Sequence, residues 1–137
     1  MPRVRSRFSK NSKYFLTQAQ FLTVYYFCHN YPEWVKEHDA GAGLTRGGEE
    51  GGGGSVISDP TSAKAIRLAD LYEKIELIRQ TAYDAEPLLH PYLLYYVTHE
   101  NMTYDKIKAK GLPCERKMFY DRRRKFYYNL ARKMNVL

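Results

Sequence analysis

The residues whose types and spacing could bind a charged partner are concentrated in the stretch YDRRRKFYYNLARK, residues 120–133. Four consecutive cations, residues 122–125, stand there beside four aromatic residues. Guanidinium groups bind phosphate oxygens through paired N–H donors, and they also stack on aromatic rings. A run of cations is equally typical of an ordinary solvated helix face. Whether this stretch binds phosphates or is only solvated therefore has to be judged from the elements around it.

The elements around this stretch are predicted to be a short helix, a tight turn and a long helix. The short helix begins near Thr103 and ends at Gly111, a residue type that suits a helix C-cap. Leu112-Pro113 cannot continue it, and the long helix is predicted to run from about Cys114 to Met134. Its apolar residues recur at helical spacing and should turn inward: Phe119, Phe126, Leu130 and Met134. This order of elements predicts a helix-turn-helix.

In a helix-turn-helix the second helix enters the DNA major groove, about 12 Å wide, while the first braces it across the backbone. Residues near the N-terminus of the second helix, here Arg116, Lys117 and Tyr120, would then face base edges. Arginine fits the paired acceptors of guanine, whereas lysine and tyrosine suit phosphates or single base-edge contacts. These three residues are therefore predicted DNA contacts.

The run of four cations extends this predicted surface. Arg123 and Arg124 lie three and four residues beyond Tyr120, so they are expected on the same face of the helix. Arg122 and Lys125 are expected on its flanks, where their side chains can reach phosphates. We therefore predict that all four of these residues bind DNA.

The rest of the chain is also predicted to be helical. An aromatic-rich helix is expected over about 14–30, and a short one over about 31–38. Two more are expected over about 60–84 and from Pro87 to about residue 99. No strand-like alternation of useful length appears, so the fold class is predicted to be all-α. The apolar face of the first two helices needs a partner, which is the C-terminal part, a second copy of the chain or another protein.

Glycine content divides the chain. Residues 39–55 contain eight of the nine glycines, and such a segment loses much entropy on ordering while offering few side chains to bury. We therefore predict three parts. They are a basic arm with an N-terminal helical segment (1–38), a flexible Gly-rich linker (39–57) and a helix-turn-helix DNA-binding domain (58–137).

The net charge of +7 is unevenly distributed. Residues 1–13 carry five Lys/Arg and no acid, residues 14–102 carry six against twelve acids, and residues 103–137 carry eleven against three. Two basic ends thus flank an acidic middle, and this segregation favours double-stranded DNA as the partner. The N-terminal arm is then either a second electrostatic contact or a solubilising tail. Its cations are Arg3, Arg5, Arg7, Lys10 and Lys13.

Four stretches of the C-terminal part resemble a known family: SDPTSAKAI, KIELIRQTAYDAEP, YVTHENMTYDKIKAKGLPC and FYDRRRKFYYNL. With them, residues 58–137 resemble the C-terminal part of small phage and prophage regulators of the RinA/ArpU type. That part of the family is similar to region 4 of sigma-70 factors. The resemblance implies a sequence-specific DNA-binding transcription regulator of phage genes. It also suggests RNA polymerase as a second partner and the cytoplasm of a bacterial host cell as the location.

Other chemistry finds little support in the sequence. The four histidines lack the spacing of metal ligands, and Cys28 and Cys114 form no CxxC motif. The carboxylates of residues 70–84 alternate with cations at helical spacing, which is typical of a solvated face rather than of a nuclease. The apolar residues 21–28 are too few to span a membrane. We therefore expect a soluble, intracellular protein without catalytic residues, cofactor or metal.

Two other functions remain open. A small terminase-like DNA-packaging subunit also binds DNA by a helix-turn-helix, but its ring assembly would need an oligomerisation helix beyond Met134. A protein-interaction module with an incidental basic face would show no salt-sensitive affinity for DNA. For the regulator we expect a homodimer, because helix-turn-helix proteins commonly bind paired half-sites.

Overall fold

The computed structural model describes residues 13–47 and 59–137 and shows an all-α fold, as predicted. No strand lies within these two ranges. The helices follow one another as α1 (Gln18–His29), α2 (Tyr31–Gly47), α3 (Asp59–Ala85), α4 (His90–Thr98), α5 (Tyr104–Ala109) and α6 (Arg116–Lys133).

Two of the helices begin at threonine caps. The Thr17 hydroxyl accepts from the Gln20 amide at 3.2 Å, and the Gln20 side chain accepts from the Thr17 amide at 2.9 Å, which closes a capping box on α1. At α5, the Thr103 hydroxyl accepts from the amide of Lys106 at 3.2 Å. Gly111, predicted to end α5, has a φ of +108°, a conformation that side-chain-bearing residues rarely adopt.

One hydrophobic core joins α1, the C-terminal half of α3, α4, α5 and α6. The predicted inward stripe of α6 is confirmed at Phe119, Phe126 and Leu130, which are fully buried, while Met134 is half-buried. From α1, Phe21 reaches the same core and meets the Tyr127 ring edge-on, with ring centroids 5.1 Å apart. The first helix of the chain therefore has the C-terminal helices as its partner.

The N-terminal half of α3 packs on α2. Leu71 and Ile75, near the middle of α3, are buried but do not belong to the main core. Lys74 Nζ lies 5.2 Å from the centre of the Trp34 ring, and Arg67 makes a two-pronged ion pair with Glu37 at 2.8 and 3.0 Å. These contacts make α2 and α3 a helical pair. Of the two, α3 also belongs to the main core.

The extent of α2 differs from the predicted one. The sequence predicted that this helix ends near His38 and that a linker occupies residues 39–57, but α2 continues to Gly47. Packing offers a physical reason, because a Cβ on Gly41 would lie 2.6 Å from Leu68 Cδ2, so glycine lets α3 come close. This packing offsets the helix penalty of glycine, about 1 kcal/mol per residue. Residues 48–57 of the predicted linker lie outside the described residues.

Candidate nucleic-acid interface

The connection between α5 and α6 is held by side chains from α5. The Tyr104 hydroxyl donates to the carbonyl of Cys114 at 2.9 Å, and its ring lies 6.2 Å from the Phe119 ring. Lys108 Nζ donates to the carbonyls of Leu112 and Cys114 at 3.0 and 3.2 Å. The connection between the short helix and the long basic helix is six residues long, 110–115. Because side chains of α5 hold its backbone, α5 determines the position at which α6 begins.

On the side that faces α3, cations of α6 are tied to acidic residues. Arg122 Nε donates to Glu86 Oε1 at 2.9 Å, and Arg122 Nη1 also donates to Asp121. The hydrogen bond with Glu86 raises the pKa of Arg122, and it lowers the pKa of Glu86 in turn. Lys133 Nζ similarly donates to Thr81 and to Asp84, each at 3.1 Å. Arg122 therefore serves as a tie between elements rather than as a free cation.

On the opposite side, Arg123 lies between two tyrosine rings. Its Cζ is 4.8 Å from the centre of the Tyr120 ring and 5.7 Å from that of Tyr96. Its Nη1 donates to the Tyr96 hydroxyl at 3.2 Å. Its Nε is buried, with no hydrogen-bond partner among the described residues. Arg123 is thus directed towards α4 and does not extend the outward face as the sequence suggested.

At the start of α6, Arg116 and Tyr120 contact α5. Arg116 Cζ lies 4.7 Å from the centre of the Tyr104 ring, and its Nη2 donates to Asp105 at 3.4 Å. The Tyr120 ring lies 6.2 Å from that of Tyr104. Arg116 remains exposed, whereas Tyr120 is half-buried.

The outward face of α6 carries four cations, of which Lys117 and Arg132 are exposed while Arg124 and Lys125 are half-buried. Lys117 and Arg124 are seven residues apart and so lie one above the other on this face, two turns from each other. Within the described part of the chain, Lys117, Arg124 and Arg132 have neither an ion pair nor a hydrogen bond through their side chains. Lys125 makes no close ion pair there, and its charge contributes to lowering the pKa of Asp84, whose main cause is the hydrogen bond from Gln80.

The N-terminal arm joins the molecule beside this face. Tyr14 packs on Tyr128 of α6, with ring centroids 5.8 Å apart, and Lys13 Nζ lies 5.1 Å from the centre of the Tyr14 ring. Tyr128 follows Arg124 by four residues and precedes Arg132 by four, so it occupies the same stripe. The other four arm cations, Arg3, Arg5, Arg7 and Lys10, lie outside the described residues.

The seven residues predicted to bind DNA therefore separate into groups. Lys117, Arg124 and Lys125 share the outward face, Arg116 and Tyr120 lie against α5, and Arg122 and Arg123 are held by other helices. Neither Arg132 nor the Tyr14–Tyr128 contact was predicted from the sequence. The four-residue steps 124, 128 and 132 are a signal that could have found Arg132, whereas a contact spanning more than a hundred residues leaves no local pattern.

Neither a metal site nor a membrane-spanning helix is found in residues 13–47 and 59–137. No group of three or more His, Cys, Asp or Glu there is arranged to hold a metal ion. No helix among those residues is both long and apolar enough to cross a membrane. Comparison of the chain with models of protein families, with curated proteins and with solved structures finds no match.

Proposed function

We propose that this protein is a sequence-specific DNA-binding transcription regulator of phage or prophage genes, and that α6 binds double-stranded DNA. The observation that carries the proposal is the division of the cations of α6. Arg122, Arg123 and Lys133 are engaged within the protein. Lys117 and Arg132 are exposed and Arg124 is half-buried, and none of these three has an ion pair or a side-chain hydrogen bond in the described part of the chain. Charges left unpaired along one helix face suit a polyanion, because each can displace a counterion from a phosphate.

The position of the arm supports the same proposal. Tyr14, which follows the five arm cations in the sequence, packs on Tyr128, and Tyr128 is four residues from both Arg124 and Arg132. Tyr14 thus brings the end of the basic N-terminal segment to α6, while the other four cations of that segment lie outside the described residues. DNA carries a phosphate charge about every 1.7 Å of its axis, so a single duplex is long enough to contact both α6 and the N-terminal segment.

The proposed regulator is not an enzyme, and it acts in the cytoplasm of a bacterial host. The resemblance of residues 58–137 to regulators of the RinA/ArpU type supports the assignment to phage genes. It also supports RNA polymerase as a second partner, since sigma-70 region 4 is the domain that this part resembles. A homodimer would let two copies of α6 bind paired half-sites.

The proposal is tested by replacing two outward cations and measuring DNA affinity across a salt series. Fluorescence anisotropy would compare wild type with Lys117→Ala/Arg124→Ala on a duplex enriched from a random library and on a scrambled duplex. Wild type should bind the enriched duplex more tightly, with an affinity that falls steeply as salt rises. The double variant should bind more weakly, and the slope of log K against log salt should be smaller by about 2, because each phosphate contact contributes about 0.9.

A matched control removes two cations from elsewhere. Lys36→Ala/Lys64→Ala lowers the net charge by the same amount but acts on α2 and α3. If DNA binding depends on α6, this control should keep a slope close to that of wild type. Equal losses in both variants would mean that only net charge matters, and salt-insensitive binding by wild type would contradict the proposal.

A protein-interaction function is the second candidate, and exposed apolar residues on α3 favour it. The side chain of Ile66 is 70% exposed and that of Tyr72 is 54% exposed, both on the half of α3 that packs on α2. A terminase-like packaging subunit would share the DNA affinity of a regulator, so binding alone does not separate the two. Light scattering on the purified protein does, because a regulator is expected as a monomer or dimer and a packaging subunit as a ring.

A further inference from the structure

Five side chains at the junction of α4, α5 and α6 form a continuous series of contacts between guanidinium groups and tyrosine rings, in which the rings of Tyr104 and Tyr120 are tilted by 53° to each other. We refer to it as the Arg–Tyr ladder: Arg116, Tyr104, Tyr120, Arg123 and Tyr96. Successive members are separated by 4.7, 6.2, 4.8 and 5.7 Å, measured between ring centres or from Cζ to ring centre. The sequence assigned Arg116 and Tyr120 to base edges and gave Arg123 no partner within the protein.

Stacking on a tyrosine ring restrains a guanidinium without using its hydrogen-bond donors. The ring contacts the flat face, whereas the N–H groups lie in the guanidinium plane and remain available at its edge. A guanidinium restrained in this way is pre-organised for an anion, since little side-chain entropy is left to lose on binding. Phosphate oxygens accept such in-plane donors in pairs.

Asp105 shows that an anion fits at the outer end of the ladder. Its carboxylate accepts from Arg116 Nη2 at 3.4 Å while the guanidinium rests on Tyr104. Both partners are open to solvent, with side-chain exposures of 58% for Arg116 and 86% for Asp105. An ion pair this exposed contributes little stability, so another anion can replace the carboxylate at low cost.

Arg123 occupies the inner end, where the protein satisfies it only in part. Its Nη1 donates to the Tyr96 hydroxyl, but its buried Nε has no acceptor in the described part of the chain. The same surroundings raise the pKa of Tyr96, mainly through burial, so the hydroxyl stays neutral beside the cation. The ladder thus holds two permanent positive charges, one of them with unmet hydrogen-bonding capacity.

We propose that the Arg–Tyr ladder binds the phosphodiester backbone of DNA, with Arg116 as the direct phosphate contact and Arg123 as a supporting charge. This inference rests on the proposed DNA-binding function and changes the role of Arg116 within it. As a phosphate contact, Arg116 contributes affinity for every sequence, whereas a base-edge contact would contribute preference for one. Asp105 competes with the phosphate for the same guanidinium.

The test compares Arg116→Ala with wild type on the enriched duplex and on the scrambled duplex, each over a salt series. A phosphate contact predicts that affinity falls by the same factor for both duplexes, with the salt slope reduced by about 0.9. Arg116→Lys should restore the slope, because the charge returns, while leaving affinity below wild type, because the flat stack does not. A fall confined to the enriched duplex would overturn the inference and return Arg116 to base reading.

A second variant tests the competition by Asp105. Asp105→Asn frees Arg116 and should tighten binding to both duplexes by more than Glu115→Gln, which removes one negative charge beside Arg116 without breaking an ion pair. Equal tightening by the two variants would contradict the competition. If wild type binds neither duplex, the proposed function and the ladder both fail; if wild type binds and Arg116→Ala keeps the full slope, only the ladder fails.

Discussion

At the residue scale, Arg122 fastens the middle of α6 to the end of α3, across 36 residues of sequence. Its hydrogen bond to Glu86 favours the ionised carboxylate, which is the main reason that the pKa of Glu86 is lowered. A carboxyl group whose pKa is lower in the folded state binds fewer protons there than in the unfolded chain. The pair therefore stabilises the fold most above the unfolded pKa, about 4.3 for glutamate, and less as pH falls through the folded value.

Replacing Glu86 by glutamine should make this contribution visible. At pH 7, Glu86→Gln is expected to lower the free energy of unfolding by about 1 kcal/mol, because the ion pair becomes a hydrogen bond from the Arg122 cation to a neutral amide. The difference from wild type should shrink as pH falls below about 5, where the Glu86 carboxylate of the unfolded wild-type chain begins to take up a proton before that of the folded protein does. Urea unfolding followed by circular dichroism at pH 7, 5, 4 and 3 measures it.

Glu33→Gln is the matched control, since Glu33 lies exposed in the first turn of α2 and makes no ion pair within the described residues. A Glu86→Gln difference that stays constant from pH 7 to pH 3 would show that the Arg122 contact does not favour the ionised carboxylate.

At the element scale, α5 is a helix of six residues, too short to be stable alone. It depends on the cap at Thr103 and on the burial of Tyr104 and Ile107. Tyr104 in turn supports both the α5–α6 connection and the ring on which Arg116 stacks. The cap of a short helix thus affects the candidate DNA surface.

Loss of this cap should cost stability and DNA affinity together. Thr103→Ala leaves the amide of Lys106 without its acceptor and is expected to lower the free energy of unfolding by about 1 kcal/mol. Thr103→Ser keeps the hydroxyl and should remain near wild type. Urea unfolding measures the first effect and anisotropy the second; a Thr103→Ala protein as stable as the serine variant would show that the cap is dispensable.

The features that sequence patterns predicted are local ones. The all-α fold, the glycine at the end of α5 and the inward residues Phe119, Phe126 and Leu130 depend on spacings within one helix or turn. The contacts that determine which cations of α6 face outward are not local. Arg122 meets Glu86 and Arg123 meets Tyr96 only because the helices pack together, so a run of four cations could not show which of them face outward. The length of α2 escaped prediction for the same reason, since the packing of Gly41 on Leu68 of α3 is a contact between helices that are distant in sequence.

At the scale of the whole molecule, α1 and α6, the first and last of the described helices, share one core. Phe21 of α1 and Tyr127 of α6 pack edge-on, and both are almost fully buried. The long α3 belongs to this core through Ile78 and Ala82, and it also carries the residues that pack on α2. Because α3 takes part in both groups of contacts, the described helices should unfold as one cooperative unit.

Phe21→Ala tests this coupling. Truncating a buried phenylalanine typically lowers the free energy of unfolding by 3–5 kcal/mol, and about that loss is expected here. The fluorescence of Trp34, the single tryptophan, reports on α2, while circular dichroism reports on all the helices. Both urea transitions should coincide in wild type and move together in the variant. A Trp34 transition that stays in place while the dichroism shifts would show that the α2–α3 pair unfolds independently.

α3 is also a mechanical element. Twenty-seven residues at a rise of 1.5 Å give a rod of about 40 Å, which carries Ile66 near one end and the Glu86 attachment of α6 just beyond the other. A partner docked on the Ile66 end would thus be held at a set distance and rotation from whatever α6 binds. Each helical turn added to α3 would therefore increase the distance between the partner at Ile66 and the partner of α6 by about 5.4 Å.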